Sequence, residues 1–342
     1  MHYQQRFSYY ISFFFFLFIT LLPSVPARNM PVTTVLSVNP NTDCHRLLDI
    51  HRGSSVVGLS DLKRYFHHYG YLPATDKNFT DNFDDQFESA VTLYQSKLGL
   101  PLTGRLNSTT LSQVMSPRCG VPENHNHKLH TSKHYSLAEG RPTWNHSTPM
   151  TLYYAFSPIH MINYVKLSDI RVAFRRAFSK WSSVIPVNFT ETQDYEHANI
   201  TIGFYDKDHG DGFPFDGVLA HAFGPGLGMI HFNAAITWAV DFRSEKSQKA
   251  FDLESVATHE IGHVLGLDHS SIHEAVMWPS TPPRTISAGL TLDDVTGAQA
   301  LYGSNPNFNL DSLKVKNSAG KSFGSREIIT ISISLVVKAL FL

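Results

Sequence analysis

Cysteine, net charge and long apolar runs are all scarce in this sequence of 342 residues. Its two cysteines, Cys44 and Cys119, are too few for a disulfide framework, so other interactions must hold the fold. Lys and Arg total 28 against 29 Asp and Glu, and this balance argues against a nucleic-acid partner. The apolar stretches at both ends are shorter than the roughly 20 residues that a membrane-spanning helix needs.

The first 27 residues have the features of a secretory signal peptide. Arg6 precedes a run rich in Phe and Leu, and Val25 and Ala27 form the small-residue pattern of a signal-peptidase site. A membrane anchor is the alternative, but the shortness of the run favours secretion. The sequence also contains N-x-[ST] triplets, which are glycosylation acceptors in the secretory pathway and therefore agree with secretion. These candidate glycosylation sites are Asn78, Asn107, Asn145, Asn188 and Asn199.

Hydrophobic periodicity divides the remaining chain into two domains and a tail. Residues 44–115 have helical spacing, with a candidate cap at Asp84 before the second apolar stripe. A stretch rich in Pro, Gly, Asn and His then marks a linker. Strand and helix patterns alternate beyond it and end in a helix near Gly303. The predicted boundaries are 1–27 for the signal peptide, 28–134 for the helical N-terminal region, 135–303 for the second domain and 304–342 for the tail.

Residues 258–270, THEIGHVLGLDHS, hold three histidines and a glutamate. On a helix of 3.6 residues per turn, His259 and His263 are one turn apart and point to the same side. Gly266 then lets the chain turn back, which can bring His269 to the same ion as a third ligand. Three ligands leave one coordination position open, and this is the arrangement of catalytic zinc sites.

Glu260 lies in the same helical turn as His259. A single buried histidine is usually a core residue and not a metal ligand. The complete pattern H-E-x-x-H-x-x-G-x-x-H, however, strongly favours metal ligands. Met277 follows at a distance where a turn could carry its thioether beneath the histidines. This combination resembles the metzincin metalloproteases. The resemblance implies that zinc activates a water and that Glu260 acts as general base and then as general acid.

A second constellation follows the pattern H-x-D with two later histidines. Its four nitrogen and oxygen donors, with no obvious base beside them, are typical of a closed structural zinc site. An ion bound there would connect a loop to the neighbouring strands and stabilise it. Histidines that merely face solvent from a loop are the alternative. The candidate ligands are His209, Asp211, His221 and His231. With these residues the resemblance narrows to the matrix metalloproteinases, which implies two zinc ions.

The segment PRCGVPE around Cys119 resembles the cysteine switch of those enzymes, with Glu123 in place of the usual Asp. The resemblance implies that the Cys119 thiolate is a fourth, inhibitory zinc ligand until an activating protease removes the segment. Arg118 could hold the segment by pairing with a nearby carboxylate. A disulfide between Cys119 and Cys44 is the alternative. The absence of a hemopexin-like repeat makes the chain similar to the short plant-type members.

The resemblance implies an α+β catalytic domain, with a twisted mixed sheet and three helices, preceded by a small all-α propeptide domain. The expected activity is that of a zinc endopeptidase acting on extracellular-matrix or cell-surface polypeptides, with an apolar substrate side chain in the pocket behind the zinc. Two rivals remain. One is a non-catalytic, zinc-stabilised extracellular binding module, although the base Glu260 is present; the other is a different hydrolase such as an aminopeptidase.

The tail after Gly303 is polar and then ends in the apolar run 328–342. Small residues near 317–320, a short polar spacer and this run resemble a GPI-anchor signal. The candidate attachment residues are Asn317 and Ser318, and Lys338 inside the run is a departure from the pattern. A disordered or interfacial tail is the alternative. We therefore expect a secreted protein that a lipid anchor holds on the outer face of the plasma membrane.

Calcium binding is expected to be weak, because the sequence departs from the family where that ion is usually held. Asn199, Met229, Asn233 and Ile236 stand where the family resemblance leads one to expect acids. Of the usual carboxylates only Asp216 remains. Calcium takes six to eight oxygen ligands and loses affinity as their charge is removed.

Overall fold

The computed structural model describes residues 44–73, 78–123, 135–144, 150–215 and 217–310. Several predictions fall outside these ranges: the signal peptide, the tail with its attachment residues, the triplet at Asn145 and the calcium candidate Asp216. Within the described ranges, no helix combines the length and apolar character needed to cross a bilayer.

The N-terminal domain is helical, as its periodicity predicted. Its described residues, 44–73 and 78–123, contain a 3₁₀ turn and three α-helices: Cys44–Leu47, α1 Leu59–His68, α2 Asp85–Lys97 and α3 Ser108–Val114. Asp84 caps α2, since its carboxylate accepts a hydrogen bond from the Phe87 backbone N–H at 2.8 Å. The apolar stripes of α1 and α2 meet in a core of aromatic rings. The centroid of the Phe66 ring lies 5.1 Å from the ring centroids of both Phe87 and Tyr94.

The second domain is built on a five-stranded sheet with the order β3-β2-β4-β6-β5. Only β5 runs antiparallel to its neighbour, so the sheet is mixed. Its strands are β2 Met150–Phe156, β3 Val187–Glu191, β4 Ile200–Tyr205, β5 Ala220–Ala222 and β6 Met229–Asn233. Short paired strands lie outside this sheet: β1 Ser136–Leu137 with β9 Leu267–Asp268, and β7 Trp238–Ala239 with β8 Phe251–Asp252.

In the described part of this domain the sheet is accompanied by three helices: α4 Leu167–Ser182, α5 Leu253–Val264 and α6 Leu292–Tyr302. α4 buries one apolar face, and the Trp181 indole N–H donates to the Thr258 carbonyl of α5 at 2.9 Å. α5 is buried on all sides, since His259, Glu260 and His263 are buried together with its apolar residues. The α+β architecture with a mixed sheet and three helices is confirmed.

Candidate metal centre and peptide cleft

The three predicted histidines are brought together by α5 and the turn that follows it. Asp252 caps the helix by accepting a hydrogen bond from the Ser255 N–H at 2.8 Å. Gly266 has φ 94°, and a side chain there would collide with the Pro142 carbonyl oxygen. The reversal lets His269 face His259 and His263, with ring centroids 5.2 and 4.7 Å away.

The ring nitrogens of this cluster fit a cation. The Nδ1 atoms of His259 and His263 lie 2.7 Å from the Val276 carbonyl and 2.9 Å from the Leu267 carbonyl. A carbonyl only accepts, so each Nδ1 carries the proton and each Nε2 presents a bare lone pair. Burial keeps both rings neutral by lowering the pKa of His263 and bringing that of His259 to about 3.

The distances between the donor atoms match tetrahedral zinc. The His263 Nε2 lies 3.1 Å from the His259 Nε2, 3.2 Å from the His269 Nε2 and 3.5 Å from the Cys119 Sγ. Ordinary zinc bond lengths place tetrahedral ligands about 3.3 Å apart for nitrogen pairs and about 3.6 Å for sulfur with nitrogen. Two bare acceptors at these separations repel each other unless a cation lies between them. The four residues therefore form a chemically consistent zinc site.

Glu260 is fully buried beside this cluster. Among the described residues, neither of its carboxylate oxygens has a hydrogen-bond partner. Burial disfavours the charged form and raises the pKa of the Glu260 carboxyl to about 8. A carboxyl group with a pKa near neutrality can both accept and donate a proton, which suits acid–base chemistry.

Met277 lies beneath the histidines, as its spacing predicted. A side chain at Gly262 would overlap the Met277 sulfur, so the glycine lets the thioether pack directly against α5. Asp294 holds this turn by accepting hydrogen bonds from the Val276 and Met277 N–H groups, both at 3.0 Å. The floor of the site is thus apolar and fixed.

The second predicted cluster also assembles around a single carboxylate oxygen. Asp211 Oδ2 lies 2.8 Å from the His209 Nε2, 2.7 Å from the His221 Nε2 and 2.8 Å from the His231 Nδ1. Burial favours the neutral acid, but hydrogen bonds from the three rings hold the pKa of Asp211 well below its usual range. His221 and His231 face each other across β5 and β6, so the four donors join a loop to the sheet.

The segment around Cys119 lies next to the first cluster. The Cys119 N–H donates to the Pro279 carbonyl, and the Gly120 N–H donates to the Ala220 carbonyl, both at 2.8 Å. Arg118 forms a parallel bridge with Val218 and an antiparallel bridge with Ser280. Residues 117–120 therefore lie as an added strand between the sheet edge and the 279–281 segment.

Arg118 anchors this segment to the helical domain. Its guanidinium pairs with Glu123, the carboxylate partner that the sequence left unnamed, and lies 3.7 Å from the centroid of the Tyr69 ring. The same guanidinium lies 3.3 Å from the Tyr65 hydroxyl. The sequence did not identify either tyrosine as a contact of Arg118. Cys119 is a free thiol in the structure, so the alternative disulfide with Cys44 is wrong.

Behind Glu260 a pocket of about 90 Å³ opens beside the 279–281 segment. Its wall includes Val256 of α5 and Leu219 of the sheet edge, while Ser255 and Ser287 add hydroxyl groups. The Ser287 N–H donates to the Ser255 hydroxyl at 2.8 Å, which ties the loop around the pocket to the first turns of α5. The pocket has room for a modest side chain.

The described glycosylation candidates differ in exposure. Asn78 and Asn188 are exposed, whereas Asn107 and Asn199 are half-buried. Asn107 caps α3 by accepting a hydrogen bond from the Thr110 N–H, and Asn199 accepts one from the Tyr153 N–H, both at 2.8 Å. Exposure favours Asn78 and Asn188 as acceptors.

Comparisons with known proteins agree with this geometry. Residues 143–303 match the family described as "Matrixin", and residues 57–114 match the "Putative peptidoglycan binding domain". The chain is 50% identical over 305 residues to metalloendoproteinase 1-MMP of Arabidopsis thaliana, covering 84% of this chain and 83% of that protein. It is 45% identical over 338 residues to metalloendoproteinase 4-MMP of the same plant, covering 93% and 98%. Metalloendoproteinase 1 of Glycine max is 44% identical over 272 residues, covering 77% and 87%.

The fold and the clustered histidines, together with these relatives, define a zinc metalloendopeptidase. More narrowly, the chain belongs to the matrixin family and carries the helical N-terminal domain in front of its catalytic domain.

Proposed function

We propose that this matrixin is made as a secreted, latent precursor whose own residues 117–120 fill the substrate cleft. The supporting observation is the Cys119 sulfur, which lies 3.5 Å from the His263 Nε2 and within the same 4.8 Å cluster as His259 and His269. A ligand in that place excludes the water on which peptide hydrolysis depends. Removal of the helical domain by an activating protease frees the cleft.

His259, His263 and His269 are the proposed ligands of the catalytic zinc, and Glu260 is the proposed general base. Zinc, when bound there, supplies Lewis acidity that polarises the scissile carbonyl and acidifies a water. Glu260 accepts the proton from the attacking water and delivers it to the leaving amine. The apolar surroundings that raise its pKa also keep bulk water from competing for that proton.

The proposed substrate is an extended segment of an extracellular-matrix or cell-surface polypeptide. It takes the position of residues 117–120 and pairs with the sheet edge at Val218–Ala220 and with the 279–281 segment. An apolar side chain enters the pocket next to Glu260. Activated protein should cleave a quenched internal peptide, and a zinc chelator should abolish the cleavage. Cleavage that persists in chelator would contradict the mechanism.

His209, Asp211, His221 and His231 are the proposed ligands of a structural zinc, and calcium is expected to add little. The Asn233 amide donates to the Val218 carbonyl and accepts from the Ala235 N–H, both at 2.9 Å, and it brings no negative charge to an ion. Millimolar calcium should barely change the melting temperature of the protein, while removal of zinc should lower it strongly. Thermal melts measure both effects.

Zinc-loaded protein with no added calcium is the control for these melts. A calcium-dependent rise of about ten degrees would show that the calcium site is strong, since a ligand at about 100 times its dissociation constant contributes only about 2.7 kcal/mol.

Maturation is proposed to leave an N-terminus close to Tyr135. Tyr135 packs against Gly297 of α6, 3.2 Å from the position of an added Cβ, and the next residues form β1 with β9. The new ammonium is proposed to pair with Asp293 or Asp294 of the same helix. N-terminal sequencing of active protein should read from this region. A start beyond Thr151 would remove part of β2 and contradict the proposal.

Attachment to the cell surface by a C-terminal lipid anchor is proposed from the sequence of the tail. Phosphatidylinositol-specific phospholipase should release active protein from cells that express the full chain. A chain that ends at Leu310 is the control and should appear in the medium without the lipase. Full-length protein that remains on cells after treatment would favour the interfacial tail.

A further inference from the structure

Trp278 belongs to the catalytic domain but is buried in the core of the helical domain. It is 7% exposed and clusters with apolar residues of α1, α2 and α3. The other three tryptophans, Trp144, Trp181 and Trp238, lie in the core of the catalytic domain itself. Removal of the helical domain therefore uncovers one tryptophan, and it does so at the cleft.

Residues of the catalytic domain itself hold Trp278 in place, independently of the helical domain. Its N–H donates to the Ala275 carbonyl at 3.1 Å, its indole N–H donates to the Ser280 hydroxyl at 3.1 Å, and its ring lies 5.1 Å from that of His273. Met277 before it is buried under the candidate metal site. The ring thus stays at the cleft wall after the helical domain has gone.

Trp278 also adjoins the strand that pairs with the bound segment. Pro279 accepts the hydrogen bond from Cys119, and Ser280 bridges to Arg118. The Trp278 indole and the Ser280 hydroxyl are hydrogen-bonded to each other, and both lie on the side that faces the helical domain. On that side the Gln113 amide donates to the Ser280 hydroxyl at 2.8 Å, so the helical domain contacts both residues.

We propose that Trp278 is a substrate-docking residue of the activated enzyme, and that it binds an apolar side chain of the polypeptide in the cleft. The inference rests on the proposed activation by removal of the helical domain. An exposed indole beside a peptide-binding strand offers a large apolar surface at little cost in conformational entropy, and tryptophan is enriched among residues that dominate binding. In the latent form the helical domain covers the Trp278 indole and so occupies this binding surface.

Fluorescence tests whether Trp278 is uncovered. Proteolytic activation of the full chain should shift the tryptophan emission to longer wavelength, because the other three indoles stay buried in the catalytic core. The Trp278→Phe variant should be activated without this shift. Equal red shifts in parent and variant would overturn the inference.

Kinetics test whether Trp278 docks substrate. Trp278→Ala should lower kcat/KM about tenfold, chiefly through KM, on peptides with an apolar residue at the docking position, while Trp278→Phe should retain most of the value. Profiling with a peptide library should show the preference for apolar residues lost at one position. Ile159→Ala, which removes an exposed apolar side chain from the loop after β2, is the control and should match the parent.

A third variant, Trp278→Leu, keeps an apolar side chain in the core of the helical domain if the alanine variant does not fold. Active variants with library profiles that superimpose on the parent would overturn the docking role while leaving the proposed endopeptidase intact. A parent that shows no chelator-sensitive cleavage would instead overturn the proposed function itself.

Discussion

Replacing Cys119 with serine is expected to make the unprocessed precursor active. A hydroxyl is a much poorer zinc ligand than a thiolate, so the Cys119→Ser segment leaves the cleft more often. The remaining contacts of the segment, including the Arg118 pair with Glu123, slow its release but do not block the open coordination position. Peptide cleavage by the intact precursor should rise about tenfold or more, since each 1.4 kcal/mol of lost binding raises the open population tenfold.

The same substitution at the other cysteine provides the control. Cys44→Ser removes the second thiol of the chain and should leave the precursor as latent as the parent. The assay must show by gel that residues 44–134 are still attached when cleavage is measured. A Cys119→Ser precursor that remains fully latent would show that the strand pairing of residues 117–120, rather than the thiolate, blocks the site.

Replacing Glu260 with glutamine is expected to lower kcat of the activated enzyme by about 10²–10⁴-fold, because positioned acid–base catalysis contributes about that much. Glutamine has nearly the same shape and carries no charge, so it fits a site where burial already raises the pKa of the carboxyl to about 8. The fold and the zinc content should therefore be preserved. Steady-state cleavage of a quenched peptide and a metal assay on the same sample measure the two effects.

Glu254→Gln in the same helix is the matched control. Glu254 pairs with Lys180 of α4 at the helix–helix contact and lies outside the histidine cluster. Its amide variant should cleave at close to the parental rate with a small loss of stability. If Glu260→Gln turned over within threefold of the parent, Glu260 would not be the base.

Much of the architecture could be predicted because its causes are local. The apolar spacing of α2 and α4 follows from 3.6 residues per turn, and Asp84 caps α2 through a hydrogen bond to a residue three positions away. The pairing of His259 with His263 is likewise a property of one helix, and the reversal at Gly266 depends on a single backbone angle. Short-range geometry of this kind can be read from one sequence.

The sequence by itself determined the donor types of both clusters and the helical character of the N-terminal domain. Its resemblance to the matrix metalloproteinases implied the mixed sheet and placed the Cys119 thiol near the first cluster. The tertiary structure decided which side of α5 is covered, that Glu123 is the partner of Arg118, that Tyr69 lies under the guanidinium, and that Trp278 lies in the core of the helical domain. These contacts join residues that are far apart along the chain. They depend on how two domains pack, and neither helical nor strand periodicity carries that information.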